Sequence, residues 1–290
     1  MPIAPRRVCF VTCITWPDVS ESDGHVKRAL EHRGVEVSAR AWNDPNASFD
    51  GFDAVVFRSS WDYHHAPDAY REWLARWERA GVRFWNPPDL IRWNLSKRYL
   101  LELERAGVGI IPTVMLDHPG PTALPEVLAA RGWPRAVVKP VLSASAHDAT
   151  LVTLDTAAAI GSAIDEGRVR RPVMVQPFVD EIRTLGEWSL VFIDGALTHS
   201  VVKRPAEHDF RVQPRFGGSS ALARPPDDVA AAGRRVIDAL PLPPLYARVD
   251  GIPTEAGFRV MEVEVHEPGL YFVAAPHAAE ALAEAIIRRL

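Results

Sequence analysis

Cysteine is nearly absent from this 290-residue chain: Cys9 and Cys13 are the only two, and both lie in one short segment. A disulfide scaffold is excluded, and the cytoplasm is the expected compartment. Glycine (18) and proline (25) are too few for a low-complexity or disordered protein. No apolar run approaches the ~20 residues that span a bilayer. The run VCFVTCI after Arg6 and Arg7 ends at Trp16, Pro17 and Asp18, short of a signal peptide and without its cleavage site. The net charge of −4 is unlike the basic face of a nucleic-acid protein, so neither nucleic acid nor membrane is an expected partner. No G-x-G-x-x-G follows the first strand, which disfavours a dinucleotide site. No internal repeat is visible. Lysine is the last scarcity. Of 33 lysines and arginines, lysine supplies only Lys27, Lys97, Lys139 and Lys203. Where a chain rich in arginine keeps lysine, a compact point charge is needed rather than a planar fork. This reading applies to Lys97, Lys139 and Lys203.

What is present describes a soluble globular protein, 47% hydrophobic and 24% charged, long enough for two or more lobes. The first ninety residues alternate strands (8–14, 35–42, 52–63, 82–88) with helices (25–34, 67–81), which predicts an open, mostly parallel α/β sheet. Its ligand edge should lie beyond the strand C-termini, at Thr12–Trp16 and Arg58–Tyr63. Residues 90–107 read as one helix. Strands at 110–116, 135–142 and 172–179, with helices at 125–132 and 156–167, predict a small α+β lobe. Beyond it, Asp194-Gly195 marks a hairpin, a loop carries Gly217-Gly218, and 226–240 reads as a helix. The runs 245–252 and 258–265 form a hairpin around Thr254–Gly257, and 276–290 closes the chain as a helix. The expected division is 1–88, 89–179 and 180–290.

Glu262 and Glu264 stand at i and i+2 on a strand, so they share a face. If the hairpin turns near Ala256, Asp250 lies opposite Glu262, with Arg248 on the same face. Three carboxylates this close repel unless a cation lies among them, and all-oxygen ligation suits Mg²⁺. A solvated strand face is the bland alternative, but the other face carries Met261, Val263 and Val265. Lys139 follows AVV on a buried strand, where a lysine needs an anion; phosphate is the natural one. The small residues Ser143, Ala144, Ser145 and Ala146 can close backbone N–H groups over phosphates. Lys97, mid-helix, is by itself more often solvated. Gln176, Phe178 and Val179 end the strand that crosses to the next lobe, where backbone groups often hold an adenine edge; Phe178 alone also reads as core. At the first sheet's edge, Arg58 suits a carboxylate and Asp62 an amine, with Thr12, Trp16, Ser59 and Trp61 around them. A structural turn with an aromatic plug is the other reading. Cys9 and Cys13 share a strand face and read as buried small apolar residues.

As an ordered set, these segments resemble the ATP-grasp superfamily, over nearly the whole chain. NLSK and VVKP carry its two nucleotide lysines, at Lys97 and Lys139. VQPFV matches the adenine-reading segment. GEWSLVFIDGAL looks like G-E-x-(R/T)-V-x-x-x-x-G, which implies that Glu187 takes the ribose hydroxyls. VVKRPAEHDFRVQPRFGGS resembles the ligases' basic segment, with Lys203 and Arg211 near phosphate or substrate. YARVDGI matches A-R-x-D, and VMEVEVHEPG resembles E-(I/V)-N-x-x-P-G. The resemblance implies magnesium ligands Asp250, Glu262 and Glu264, with Arg248 on the transferring phosphoryl group. Glu264 stands where the family has asparagine, adding negative charge, and SASA lacks the usual glycines. These features and the short length look most like a small subgroup that includes D-cycloserine ligase, which closes a ring within one amino-acid derivative.

The resemblance implies an α/β N-terminal lobe, a small central lobe and a larger antiparallel C-terminal lobe, with ATP between the last two. It implies an ADP-forming carbon–nitrogen ligase that uses ATP and Mg²⁺, or Mn²⁺ in its place. A small amino-acid-like substrate would react through an acylphosphate. Family ligases are often homodimers. The rivals are an ATP-grasp kinase and a non-catalytic nucleotide-binding module.

Overall fold

The computed structural model describes residues 5–118, 120–144, 149–168, 172–207 and 209–290. The chain forms β1 (Arg6–Thr12), α1 (Glu21–Glu31), β2 (Val35–Ala41), β3 (Ala54–Phe57), α2 (Pro67–Arg79) and β4 (Phe84–Trp85). These strands make one parallel sheet in the order β2-β1-β3-β4. It is parallel because helices or long connections separate its strands. Its apolar residues point both ways. Val8, Phe10 and Val56 pack under α1, while Cys9, Val11, Val55 and Phe57 pack under α2 with Trp73 and Trp77. Both cysteines are fully buried, and burial pushes the Cys9 thiol up to about 12.

The segment expected as one helix is two: α3 (Pro88–Asn94) and α4 (Tyr99–Arg105), with Lys97 in the turn between them. The break has a cause. Asn94 and Tyr99 both turn to the backbone of a strand in the C-terminal sheet, and Lys97 N–H donates to Val141 O at 2.9 Å. The second sheet contains β5 (Val114–Leu116), β6 (Arg135–Pro140), β7 (Thr150–Thr153) and β8 (Val173–Pro177), in the order β5-β8-β6-β7 and antiparallel throughout. Helices α5 (Ala123–Arg131) and α6 (Leu154–Asp165) cover one face through Leu124, Leu128, Ala157 and Ile164.

After the short α7 (Glu181–Thr184) come β9 (Glu187–Ile193), β10 (Ala196–Arg204), β11 (Ser219–Leu222), α8 (Asp227–Asp238), β12 (Tyr246–Thr254), β13 (Gly257–Glu264) and α9 (Pro276–Ile287). The third sheet is antiparallel, in the order β11-β10-β9-β12-β13. Asp194 and Gly195 both have positive φ, 51° and 77°, as a two-residue hairpin turn requires. Strand β11 was not foreseen: its SSAL lies exposed at the sheet edge, so it carries no alternation to betray it. Helix α9 packs beside α1, and their contact continues onto Val191, Ile193 and Tyr246, joining the first sheet to the third. Among the described residues, no helix is long and apolar enough to cross a membrane.

A buried ion pair also ties these two parts. Arg58 and Asp23 are each 2% exposed and 2.7 Å apart. Arg58 Nη2 donates to Pro268 O at 3.0 Å, and its guanidinium lies over the Tyr246 ring. Arg58→Met is expected to destabilise the protein by about 3–5 kcal/mol in guanidinium unfolding, because Asp23 is left charged in the core. Adding Asp23→Asn should recover much of that loss; a simple sum of the two single losses would show that the pair is uncoupled. The native protein should also leave Cys9 untouched by Ellman's reagent at pH 8, and expose both cysteines once unfolded.

Candidate active site

Two side chains and one backbone segment outside the strand complete the free edge of β13. Asn94 Nδ2 donates to Val263 O at 2.7 Å, and Val265 N–H donates back to Asn94 Oδ1 at 3.0 Å. Tyr99 Oη and Val263 exchange two hydrogen bonds of 2.9 Å. Farther along, Gly109 and Ile111 pair with Val260. The turn held between Asn94 and Tyr99 carries Lys97, whose Nζ reaches Glu262 at 2.8 Å and donates to Ser143 O at 2.7 Å. A lysine that sequence periodicity places on a solvated helix is thus buried, 7% exposed, in contact with an acid.

The expected face of β12 and β13 is present. Arg248 pairs in register with Glu264 and Asp250 with Glu262, while Val249 and Val263 fill the core behind them. The register slips by a bulge just after Asp250. Gly251 follows there, and a Cβ on it would sit 2.5 Å from the Phe258 ring. Arg248 holds Asp250 at 2.8 Å and Glu264 at 2.6 Å. Lys203 pairs with Glu187 and lies 3.4 Å from Asp250; Ser189 Oγ donates to Asp250.

This face and the central sheet enclose a cavity of about 340 Å³, the size of a small-molecule site. Lys97, Lys139 and Ser143 line it, as do Gln176, Phe178 and Val179 at the crossing between the second and third sheets. So do Glu187, Lys203, Arg211 and Arg248, and the carboxylates of Asp250, Glu262 and Glu264. Ser145 lies outside the described residues. Gln176 Nε2 donates to Thr113 Oγ1 at 2.9 Å, and the Phe178 ring packs under the Arg135 guanidinium. Arg211 is half-buried, pairs with Asp209 at 2.8 Å and lies over the Phe216 ring.

Burial opposes each charge here, and the neighbours decide the outcome. Asp250 is held below the usual carboxylate range by Arg248 and Lys203 despite its burial. Glu262 is held down by Lys97 and Lys139 against the same penalty. Burial raises Glu187 although Lys203 pulls the other way. Glu264 is pushed up to about 8 by burial, with Glu262, Asp250 and Glu267 adding to it against Arg248. Lys139 is lowered by burial, and among the described residues it makes no hydrogen bond or ion pair; Glu262 steadies its charge and Lys97 opposes it. No group of three His, Cys, Asp or Glu among the described residues forms a ready metal cage. The reason is local: each carboxylate of the trio is already met by Lys97, Lys203 or Arg248. The donors nonetheless fit Mg²⁺ in kind, being all oxygen and on one face. Their cations stand where its charge would be.

The expected substrate residues divide. Trp61 lines the cavity, and the exposed Trp16 packs edge-on against it. The other four do not line it. Arg58 is buried and turned to Asp23 and the Pro268 carbonyl rather than to the cavity. Asp62 accepts from Trp42 Nε1 and Asn43 Nδ2 rather than facing an amine. Thr12 is fully buried and donates to Pro17 O, and Ser59 is 1% exposed. A sequence cannot tell a buried arginine from an accessible one. Glu267, Tyr271 and Met261 also line the cavity and were not singled out; only their nearness to Glu262 and Glu264 hints at them.

The chain is similar to known proteins over nearly its whole length. A family model described as the N-terminal domain of D-cycloserine synthetase DcsG matches residues 8–86. The cycloserine biosynthesis protein DcsG of Streptomyces lavendulae is 31% identical over 275 residues, covering 89% of this chain and 90% of that protein. The crystal structure of D-cycloserine synthetase DcsG superposes with a TM-score of 0.87 at 26% identity, over 98% of this chain and 99% of that one. The ATP-grasp ligase PsnB, solved with a precursor, Mg and ADP, shares the fold with a TM-score of 0.68 at 20% identity, over 97% and 98% of the two chains.

The raised Glu264 carboxyl sets a pH dependence. A carboxyl whose folded value lies above its unfolded one stabilises the fold while protonated, and that contribution is lost as pH rises through the folded value. In metal-free buffer, the melting temperature is expected to fall between about pH 5 and about pH 8, and Glu264→Gln should flatten the fall. A rise over that window, unchanged in the variant, would contradict this charge balance.

Proposed function

The chain belongs to the ATP-grasp ligase family of the cycloserine biosynthesis protein DcsG, and from that premise we propose an ATP- and Mg²⁺-dependent carboxylate–amine ligase that closes a ring within one amino-acid derivative. The observation that carries this reading is the make-up of one cavity. Lys139 faces it with no hydrogen bond or ion pair among the described residues, and Asp250, Glu262 and Glu264 line the same space. An unpaired buried lysine favours an anion, and a polyphosphate needs cations of both kinds. Similarity to a D-cycloserine synthetase, at 31% identity over nine-tenths of each chain, supports the intramolecular form.

In this reading Lys97 and Lys139 hold the phosphates. Ser143 would meet them, with Ser145, which lies outside the described residues, as a second hydroxyl. Backbone groups at Gln176, Phe178 and Val179 take the adenine edge, and Glu187 the ribose hydroxyls. Asp250, Glu262 and Glu264 would hold Mg²⁺, or Mn²⁺ in its place; when bound, the ion would neutralise charge on the phosphate oxygens. The substrate carboxylate attacks the γ-phosphorus, ADP leaves, and an acylphosphate forms. The substrate nitrogen then attacks the acyl carbon, the carbon–oxygen bond to phosphate breaks, and phosphate departs. Arg248 and Arg211 stabilise the anionic stages, a contribution of about 3–4 kcal/mol for a well-placed donor. Lys203, between Glu187 and Asp250, keeps both carboxylates in place. Lobes at 1–88, 89–179 and 180–290, a cytoplasmic location and a homodimer complete the proposal.

ADP and phosphate release from Mg·ATP against pooled amino-acid derivatives, with mass spectrometry of products, tests it. The expected result is pool-dependent release and a product lighter than a single precursor by one water. A phosphorylated product that resists hydroxylamine would make the protein a kinase instead, and nucleotide binding without turnover would favour a binding module. Lys139→Ala should lower turnover at least 100-fold with an unchanged circular dichroism spectrum; full activity would remove the lysine from the nucleotide site.

A further inference from the structure

Five carboxylates line the cavity, and four are met by a lysine or arginine of the protein. Glu187 has Lys203, Asp250 has Lys203 and Arg248, Glu262 has Lys97, and Glu264 has Arg248. The fifth, Glu267, is 8% exposed and has no lysine or arginine partner among the described residues. Among the described residues the basic side chain beside it is His266, whose Nδ1 lies 2.5 Å from Oε2 without making a hydrogen bond. The His266 ring is fixed from its other side. Tyr70 Oη lies 2.5 Å and Ser60 Oγ 3.1 Å from Nε2. The phenol of Tyr70 keeps its proton, since burial pushes it well above its ordinary value. Tyr70 can therefore donate to Nε2. The backbone is fixed as well: Trp61 Nε1 donates to Glu267 O at 3.1 Å, and the Trp61 ring lines the same cavity.

A desolvated carboxylate held rigidly and met by no lysine or arginine among the described residues is matched to a cation brought by a ligand. Lys139 is its opposite, a lining cation with no hydrogen bond or ion pair among the described residues, and it serves the phosphates in the proposed reaction. We propose that Glu267, seated on His266 and Trp61, receives the α-ammonium of the amino-acid-like substrate. This is the group that stays charged while the carboxylate and the attacking nitrogen react. The assignment rests on the ligase reading above and names the part of its substrate that the cavity selects. Trp61 adds an aromatic wall beside the same carboxylate.

Calorimetry on the full chain tests it in two stages. AMP-PNP with Mg²⁺ is titrated first. In its presence D-cycloserine, D-serine and L-serine follow, each against its N-acetyl form, which lacks the ammonium. The wild type should prefer a free amine over its acetylated form by about 10- to 100-fold. Glu267→Gln should erase that preference without changing AMP-PNP affinity, and Glu267→Asp should restore part of it. A preference that survives in Glu267→Gln would overturn the assignment, as would a wild type that takes AMP-PNP but none of the three amines. A wild type that takes no AMP-PNP would sink the ligase reading itself, together with the assignment built on it.

Discussion

A carboxylate moved from water into a protein wall is costly unless a cation meets it. Around the cavity of this protein that requirement recurs at every turn of the chain. Asp250 is sealed from water and stays ionised because Arg248 and Lys203 flank it. Glu262 stays ionised because Lys97 and Lys139 flank it. The cations come from all over the chain: Lys97 from the turn between α3 and α4, Lys139 from β6, Lys203 from β10 and Arg248 from β12. Glu262 is met by cations from outside the third sheet, Lys97 and Lys139, whereas Lys203 and Arg248 stand on the same sheet as the carboxylates they meet. Among the described residues Lys139 makes no hydrogen bond or ion pair and Glu267 has no lysine or arginine partner, and the two are opposite in sign.

The edge of β13 shows how the backbone serves this arrangement. Unpaired strand groups facing an apolar core would be as costly as unpaired charges. Asn94 and Tyr99 supply the missing partners, and doing so breaks the helix and turns Lys97 toward Glu262. One constraint, satisfaction of a strand edge, thus positions a residue of the site. The buried Arg58–Asp23 pair plays a corresponding part at the N-terminal sheet. Its second hydrogen bond, to Pro268 O, anchors the loop that carries His266 and Glu267.

Much was legible in the residues themselves. Alternation of side chains along a strand has a fixed period, so placing Asp250, Glu262, Glu264 and Arg248 on one face followed from spacing and one hairpin turn. Lysine's scarcity pointed at Lys97, Lys139 and Lys203, all of which line the cavity. The parallel N-terminal sheet followed from alternating strand and helix patterns, and the Asp194-Gly195 turn from its dipeptide. These features are local: period, turn chemistry and composition decide them within a few residues.

What the tertiary structure alone decided is which charges meet, and across what distance in sequence. Arg58 and Asp62 have the chemistry of ligand-binding residues, yet Asp23, Trp42 and Asn43 occupy them, partners 19 to 35 residues away. Glu267 looks like any acid in a loop until Lys203, Arg248 and Lys97 are seen to serve its neighbours and not it. The helix break at Lys97 depends on a strand more than 160 residues later. Pairing energy depends on desolvation and on separation in space, and neither is written in the order of residues.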